Sequence, residues 1–120
     1  MLKKINIWGR SLDLNVDFDL YEGEEVLEEQ KTRLEDFVEN ANLSDITFIK
    51  EYCAKHNGSE VNAADSVFDY LSPKTLFVPR SSNKKIVAVL CDYKFDEEHG
   101  IAVVYENGIF SEIGEQDIVL

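Results

Sequence analysis

The densest run of chemically capable side chains is Asp96-Glu97-Glu98-His99-Gly100. Carboxylates beside an imidazole are donor types that hold divalent cations, and histidine titrates near neutrality, so the run also suits acid–base work. These residues are consecutive, however, and in an extended segment consecutive side chains point to alternate faces. The spacing therefore predicts an ordered loop between two strands, with Gly100 relieving backbone strain and His99 hydrogen-bonding to hold it. His56, the other histidine, falls at a predicted helix end, where a cation suits the dipole. Cys91 follows the apolar run Ile86-Val87-Ala88-Val89-Leu90, the setting of an inert packing thiol. Neither Cys91 nor Cys53 belongs to a Cys-x-x-Cys motif, and both are expected reduced. The chain contains no Gly-rich phosphate loop, no G-x-S-x-G and no H-E-x-x-H. The expectation is a non-enzymatic protein with no cofactor and no metal. A small regulatory or metal-binding domain using Asp96, Glu98 and His99 is the alternative.

Charge narrows the partners. The 120 residues carry 24 Asp and Glu against 12 Lys and Arg, a formal charge of −12. Direct nucleic-acid binding requires the opposite sign, and an anionic membrane surface is disfavoured for the same reason. A basic partner is permitted. The excess is uneven: residues 1–72 hold 16 acids against 7 bases, and residues 73–120 hold 8 against 5. Trp8 and the tyrosines are expected in the core or at its rim, since no basic groove accompanies them as a base-stacking platform would need. No run approaches the ~20 apolar residues of a membrane span. Asn6, Arg10 and Asp13 interrupt any signal-peptide core, so a cytoplasmic chain is expected.

The elements that must position these groups are legible in the periodicity. Leu12, Leu14, Val16, Phe18 and Leu20 alternate with Asp13, Asn15, Asp17 and Asp19, which predicts a strand with one buried and one acidic face. With Ile5–Trp8 and the Gly9-Arg10-Ser11 turn it forms an N-terminal hairpin. From Tyr21 to Ala41 the period changes to that of a helix, with Val26, Leu27, Leu34, Phe37, Val38 and Ala41 on one side. Glu25, Glu28, Thr32, Glu35, Asp36 and Glu39 fall opposite, while Lys31 and Arg33 lie near the edges of the apolar arc. Glu25/Glu29 and Glu35/Glu39 are like-charge pairs four apart, each costing about 0.2–0.5 kcal/mol. A second helix is expected from a Ser44 cap to Asn57-Gly58, and a third over Ala63–Leu71. Strands follow at Leu76–Val78, Ile86–Tyr93, Ile101–Glu106 and Ile109–Glu112, with Ser81-Ser82-Asn83 as a turn and Ile118–Leu120 as a final short strand. Asn107-Gly108 marks a tight hairpin. The fold expected for the single domain, 1–120, is α+β: an antiparallel sheet of about five to six strands with two to three helices packed on one face.

Over roughly its last 45 residues the chain resembles a group of small bacterial domains. The shared pattern is D-x-E-H-G followed by an apolar strand, then G-x-x-x-E-I-G-x-Q-D. Here it is carried by Asp96, Glu98, His99, Gly100, Gly108, Gly114 and Asp117, which the resemblance marks as structural. Some such domains resemble immunity proteins of contact-dependent growth inhibition and other polymorphic toxin systems. The resemblance implies an acidic protein that binds and neutralises a cognate toxin, expected to be a nuclease, by blocking its basic active-site surface. The partner-binding candidates are Glu25, Glu28, Glu35, Asp36 and Glu39 on the helix, and Asp13, Asp17 and Asp19 on the strand.

Overall fold

The computed structural model describes residues 2–19, 23, 25, 28–41, 45–57, 66–79 and 86–119. Strands β1 (Leu2–Ile7) and β2 (Arg10–Phe18) form the N-terminal hairpin, and helices α1 (Glu28–Asn40) and α2 (Ile46–Asn57) follow. Strands β3 (Leu71–Val78), β4 (Ile86–Tyr93), β5 (Ile101–Glu106) and β6 (Ile109–Gly114) complete one six-stranded sheet in the order β1-β2-β3-β4-β5-β6.

The α+β class and the strand number are as the periodicity indicates, but the sheet is mixed. Strands β2 and β3 pair in parallel, in register from Asn15↔Thr75 to Phe18↔Val78, while the other four pairings are antiparallel. A parallel pair cannot be closed by a tight turn. The connection from β2 to β3 is long because it carries both helices across one face of the sheet.

That face holds the main core. Ile5, Ile7, Leu14, Leu76, Val78, Val87, Val89, Cys91, Ile101, Val103 and Tyr105 project from the strands, and Phe37, Ile49 and Cys53 from the helices meet them. The opposite face has a smaller apolar centre of Phe77, Ala88, Ala102 and Val104, with Val119 packed on it. Strand pairing sets Asp17 beside Phe77 and Glu112 beside Val104, so carboxylates flank this patch on both sides.

Three local expectations are corrected. Strand β3 begins at Leu71, not Leu76, and takes Pro73 into a register irregularity between Pro73 and Thr75. Proline cannot donate to a ladder and is tolerated where the ladder is broken. The expected helix over Ala63–Leu71 is, within the described residues, one 3-10 turn at Val67–Asp69 capped reciprocally by Ser66 and Asp69. The last segment, expected as a strand, turns at Gln116–Ile118. The Ser44 cap, the turn at 81–83, and Leu20, Val26 and Leu27 lie outside the described residues.

Two hairpins turn through residues with positive φ: Trp8 (54°) with Gly9 (72°), and Asn107 (54°) with Gly108 (80°). Asn-Gly suits that geometry; tryptophan does not. Trp8 is 1% exposed, and its Nε1 donates to the Tyr105 hydroxyl at 2.8 Å. That hydroxyl in turn donates to Asp45 Oδ2 at 2.8 Å, just before α2. Burial and this buried relay offset the left-handed backbone.

Candidate functional site

Helix α1 concentrates negative charge because its cations are used internally. Arg33 is 4% exposed, and its guanidinium pairs with Glu29 while donating to the carbonyls of Pro79 and Ile86, both at 2.9 Å. Gln30, fully buried, donates to the carbonyls of Asp19 and Val78 at 3.0 and 3.3 Å. These two polar side chains staple α1 to the ends of β2, β3 and β4 through backbone carbonyls at the strand ends. Lys31 pairs with Glu28 at 3.4 Å. Glu35, Asp36 and Glu39 are exposed and have no cationic partner among the described residues. Glu25 is exposed ahead of the described helix.

The strand carboxylates lie elsewhere. Asp13 and Asp17 are exposed on the sheet face opposite the helices, and Asp19 is exposed past the end of β2. The two sets of partner-binding candidates therefore face opposite sides of the sheet. Near the C-terminal end of α1, Gly108 approaches closely: a Cβ there would stand 3.2 Å from the Asp36 carbonyl and 3.1 Å from Asn40 Nδ2. This contact brings the β5–β6 hairpin to the acidic end of the helix. On that hairpin Phe110 stacks on Phe48 of α2, which is 45% exposed.

The second candidate is the 96–100 loop. It is a tight turn, not an extended segment, so two of its donors do converge. His99 Nδ1 lies 3.0 Å from Asp96 Oδ1, and the Asp96 carbonyl accepts from Gly100 N at 2.9 Å. Glu97 and Glu98 are exposed and outside this pairing. The third member comes from the other half of the motif: Asp96, His99 and Glu115 each offer a donor atom within 4.8 Å of the others. The His99 pKa is raised, first by the hydrogen bond to Asp96, then by the charges of Asp96 and Glu115.

Gln116 holds the two segments together. Its backbone N–H donates to the His99 carbonyl at 3.2 Å and its side chain to the Cys91 carbonyl at 3.0 Å. Gly100 (φ 61°) admits that side chain; a Cβ would fall 2.5 Å from Gln116 Nε2 and 2.7 Å from the Cys91 oxygen. Gly114 likewise leaves room for Ile118, 3.2 Å from where its Cβ would be. Asp117 is exposed on the 3-10 turn. Gln116 is the glutamine of the G-x-x-x-E-I-G-x-Q-D pattern, whereas Glu115 falls on one of its unspecified positions. The i, i+3 spacing of Asp96 and His99 was the available signal for convergence, because it is the spacing of a turn.

A polar pocket of about 230 Å³ adjoins this cluster, lined by Tyr52, His56, Asp96 and Glu115 among others. His56 sits in the last turn of α2 with its ring against Tyr52, at 4.3 Å between centroids. A larger open hollow of about 410 Å³ lies beside Asp69, Ser72, Asp92 and Lys94. Cys53 and Cys91 are buried, and burial raises both thiol pKa values, which suits packing rather than nucleophilic attack.

Residues 2–120 match the model of one protein family, described as a domain of unknown function, DUF6985. The chain belongs to that family. No curated protein and no solved structure matches it. Among the described residues, no helix is long and apolar enough to cross a membrane.

Proposed function

We propose that the protein is a non-catalytic inhibitor that binds a basic partner protein, in the manner of an immunity protein neutralising a toxin. The observation that supports this most is the charge on α1. Its own cations are consumed by Glu28, Glu29 and backbone carbonyls, leaving Glu35, Asp36 and Glu39 to solvent. Glu35 and Glu39 repel one another, and Asp36 and Glu39 stand near the helix C-terminus, where the dipole disfavours anions. A cationic surface docked there relieves all three penalties. The net charge of −12 steers such a partner. The Phe48–Phe110 pair beside this face supplies an apolar anchor, the kind of residue on which binding energy concentrates. A nuclease is the target class that fits, because its active site is built to receive phosphates and a row of carboxylates resembles them.

The experiment is co-expression with the product of the gene directly upstream, followed by co-purification and a toxicity assay of that product. Wild type should form a stoichiometric complex and protect the cell. Replacing Glu35, Asp36 and Glu39 with Lys should abolish both. Protection by the triple variant equal to wild type would sink the reading.

A further inference from the structure

We infer that Asp96, His99 and Glu115 form a binding site for a divalent transition cation of the zinc class, which nothing in the inhibitory reading requires. The argument starts from donor chemistry. One imidazole and two carboxylates make a mixed nitrogen–oxygen set, which prefers zinc-type ions to magnesium or calcium. Geometry comes next. Donors about 2.0–2.2 Å from a tetrahedral ion stand roughly 3.3–3.6 Å from one another. Asp96 and His99 are already at 3.0 Å, and the whole set lies within 4.8 Å. The approach still required is within the rotamer freedom of Glu115, which is exposed.

Independently of these three, α2 brings His56 to the pocket lined by Asp96 and Glu115. The second histidine of the chain thus lines a polar cavity shared with two of the three donors, its ring against Tyr52. The cavity leaves space for the water that completes the coordination of an open site. The clasp made by Gln116 and Gly100 holds the loop against the 115–117 segment, so the donors arrive from two elements already fixed to each other. On binding, His99 takes up the metal through a neutral imidazole nitrogen, and the proton it shares with Asp96 passes to solvent.

The test is calorimetric titration of the whole protein with zinc chloride at pH 7.5, alongside magnesium chloride. Wild type should bind one zinc ion and show no heat with magnesium. His99→Ala and Glu115→Gln should each weaken zinc binding by about tenfold or more. Circular dichroism establishes that both variants are folded. A second measurement needs no variant: manganese ions added to labelled wild type should broaden amide signals of residues 96–100, 113–117 and 52–56 alone. No zinc binding, equal binding of magnesium, unchanged affinity in both variants, or broadening scattered over the acidic surface would each overturn the site.

Discussion

At the scale of single residues, the most consequential atom is the Tyr105 hydroxyl. It accepts from Trp8 and donates to Asp45, and it is buried with both. Tyr105→Phe leaves a fully buried indole N–H and a largely buried carboxylate without this partner. The expected cost is about 1–3 kcal/mol, measured by urea unfolding. Cavity formation is not involved, because the ring remains. His99 gives a prediction of a different kind. Its folded pKa is raised above the ordinary histidine value of about 6.5 by Asp96 and Glu115. The stabilisation is therefore fully present below that ordinary value and is lost as pH rises through the raised folded value. Comparing melting temperatures of wild type and His99→Gln from pH 5 to 9 should show a gap that narrows with rising pH. A gap independent of pH would mean the contact is not ionic.

At the scale of elements, Gly100 and helix α1 are the informative pieces. Gly100→Ala places a methyl group on a left-handed backbone, costing about 1–2 kcal/mol, and drives it against the Cys91 carbonyl and the Gln116 side chain. Loss of the clasp should raise proteolytic sensitivity around 95–100 more than elsewhere. The helix was legible from its period, as was the outward position of Glu28, Glu35, Asp36 and Glu39. Glu29 was not legible as a neutralised group. Its partner Arg33 looks like a rim residue by angle, and only the arrival of the Pro79 and Ile86 carbonyls makes a buried guanidinium stable. Gln30 escaped notice for the same reason: helical angle places it, but the sheet ends that satisfy it come from 11 and 48 positions away. The loop at 96–100 is the ordered loop that the spacing predicts, held by the His99–Asp96 hydrogen bond and turned at Gly100; what the spacing does not supply is Glu115, which the 3-10 segment brings in.

At the scale of the whole molecule, charge acts in two opposite ways. A net charge of −12 makes the folded chain repel itself, so raising sodium chloride from about 0.05 to 0.5 M should raise the melting temperature. The same screening should weaken a complex held by α1 and slow its formation. Identical salt trends for stability and binding would count against an electrostatic interface. The separation of acids onto two sides also makes a prediction: Asp13→Lys with Asp17→Lys should leave partner binding intact if the helix face docks. The alternation of Leu12, Leu14, Val16 and Phe18 with Asp13 and Asp17 already implies that separation once the helices cover the buried face, whereas the parallel pairing of β2 with β3 is not legible, because periodicity within a strand carries no information about its neighbour.

That parallel pair also dictates a temporal order. Strands β3 to β6 are joined by short links and pair with their sequence neighbours, whereas β2 meets β3 some 60 positions away, at Asn15↔Thr75. Loop closure across such a span is slow and must precede the reward of docking. The C-terminal meander should therefore assemble first, with the N-terminal hairpin added last and released first. In native-state hydrogen exchange, the amides of β1 and β2 should open at lower free energy than those of β4 and β5.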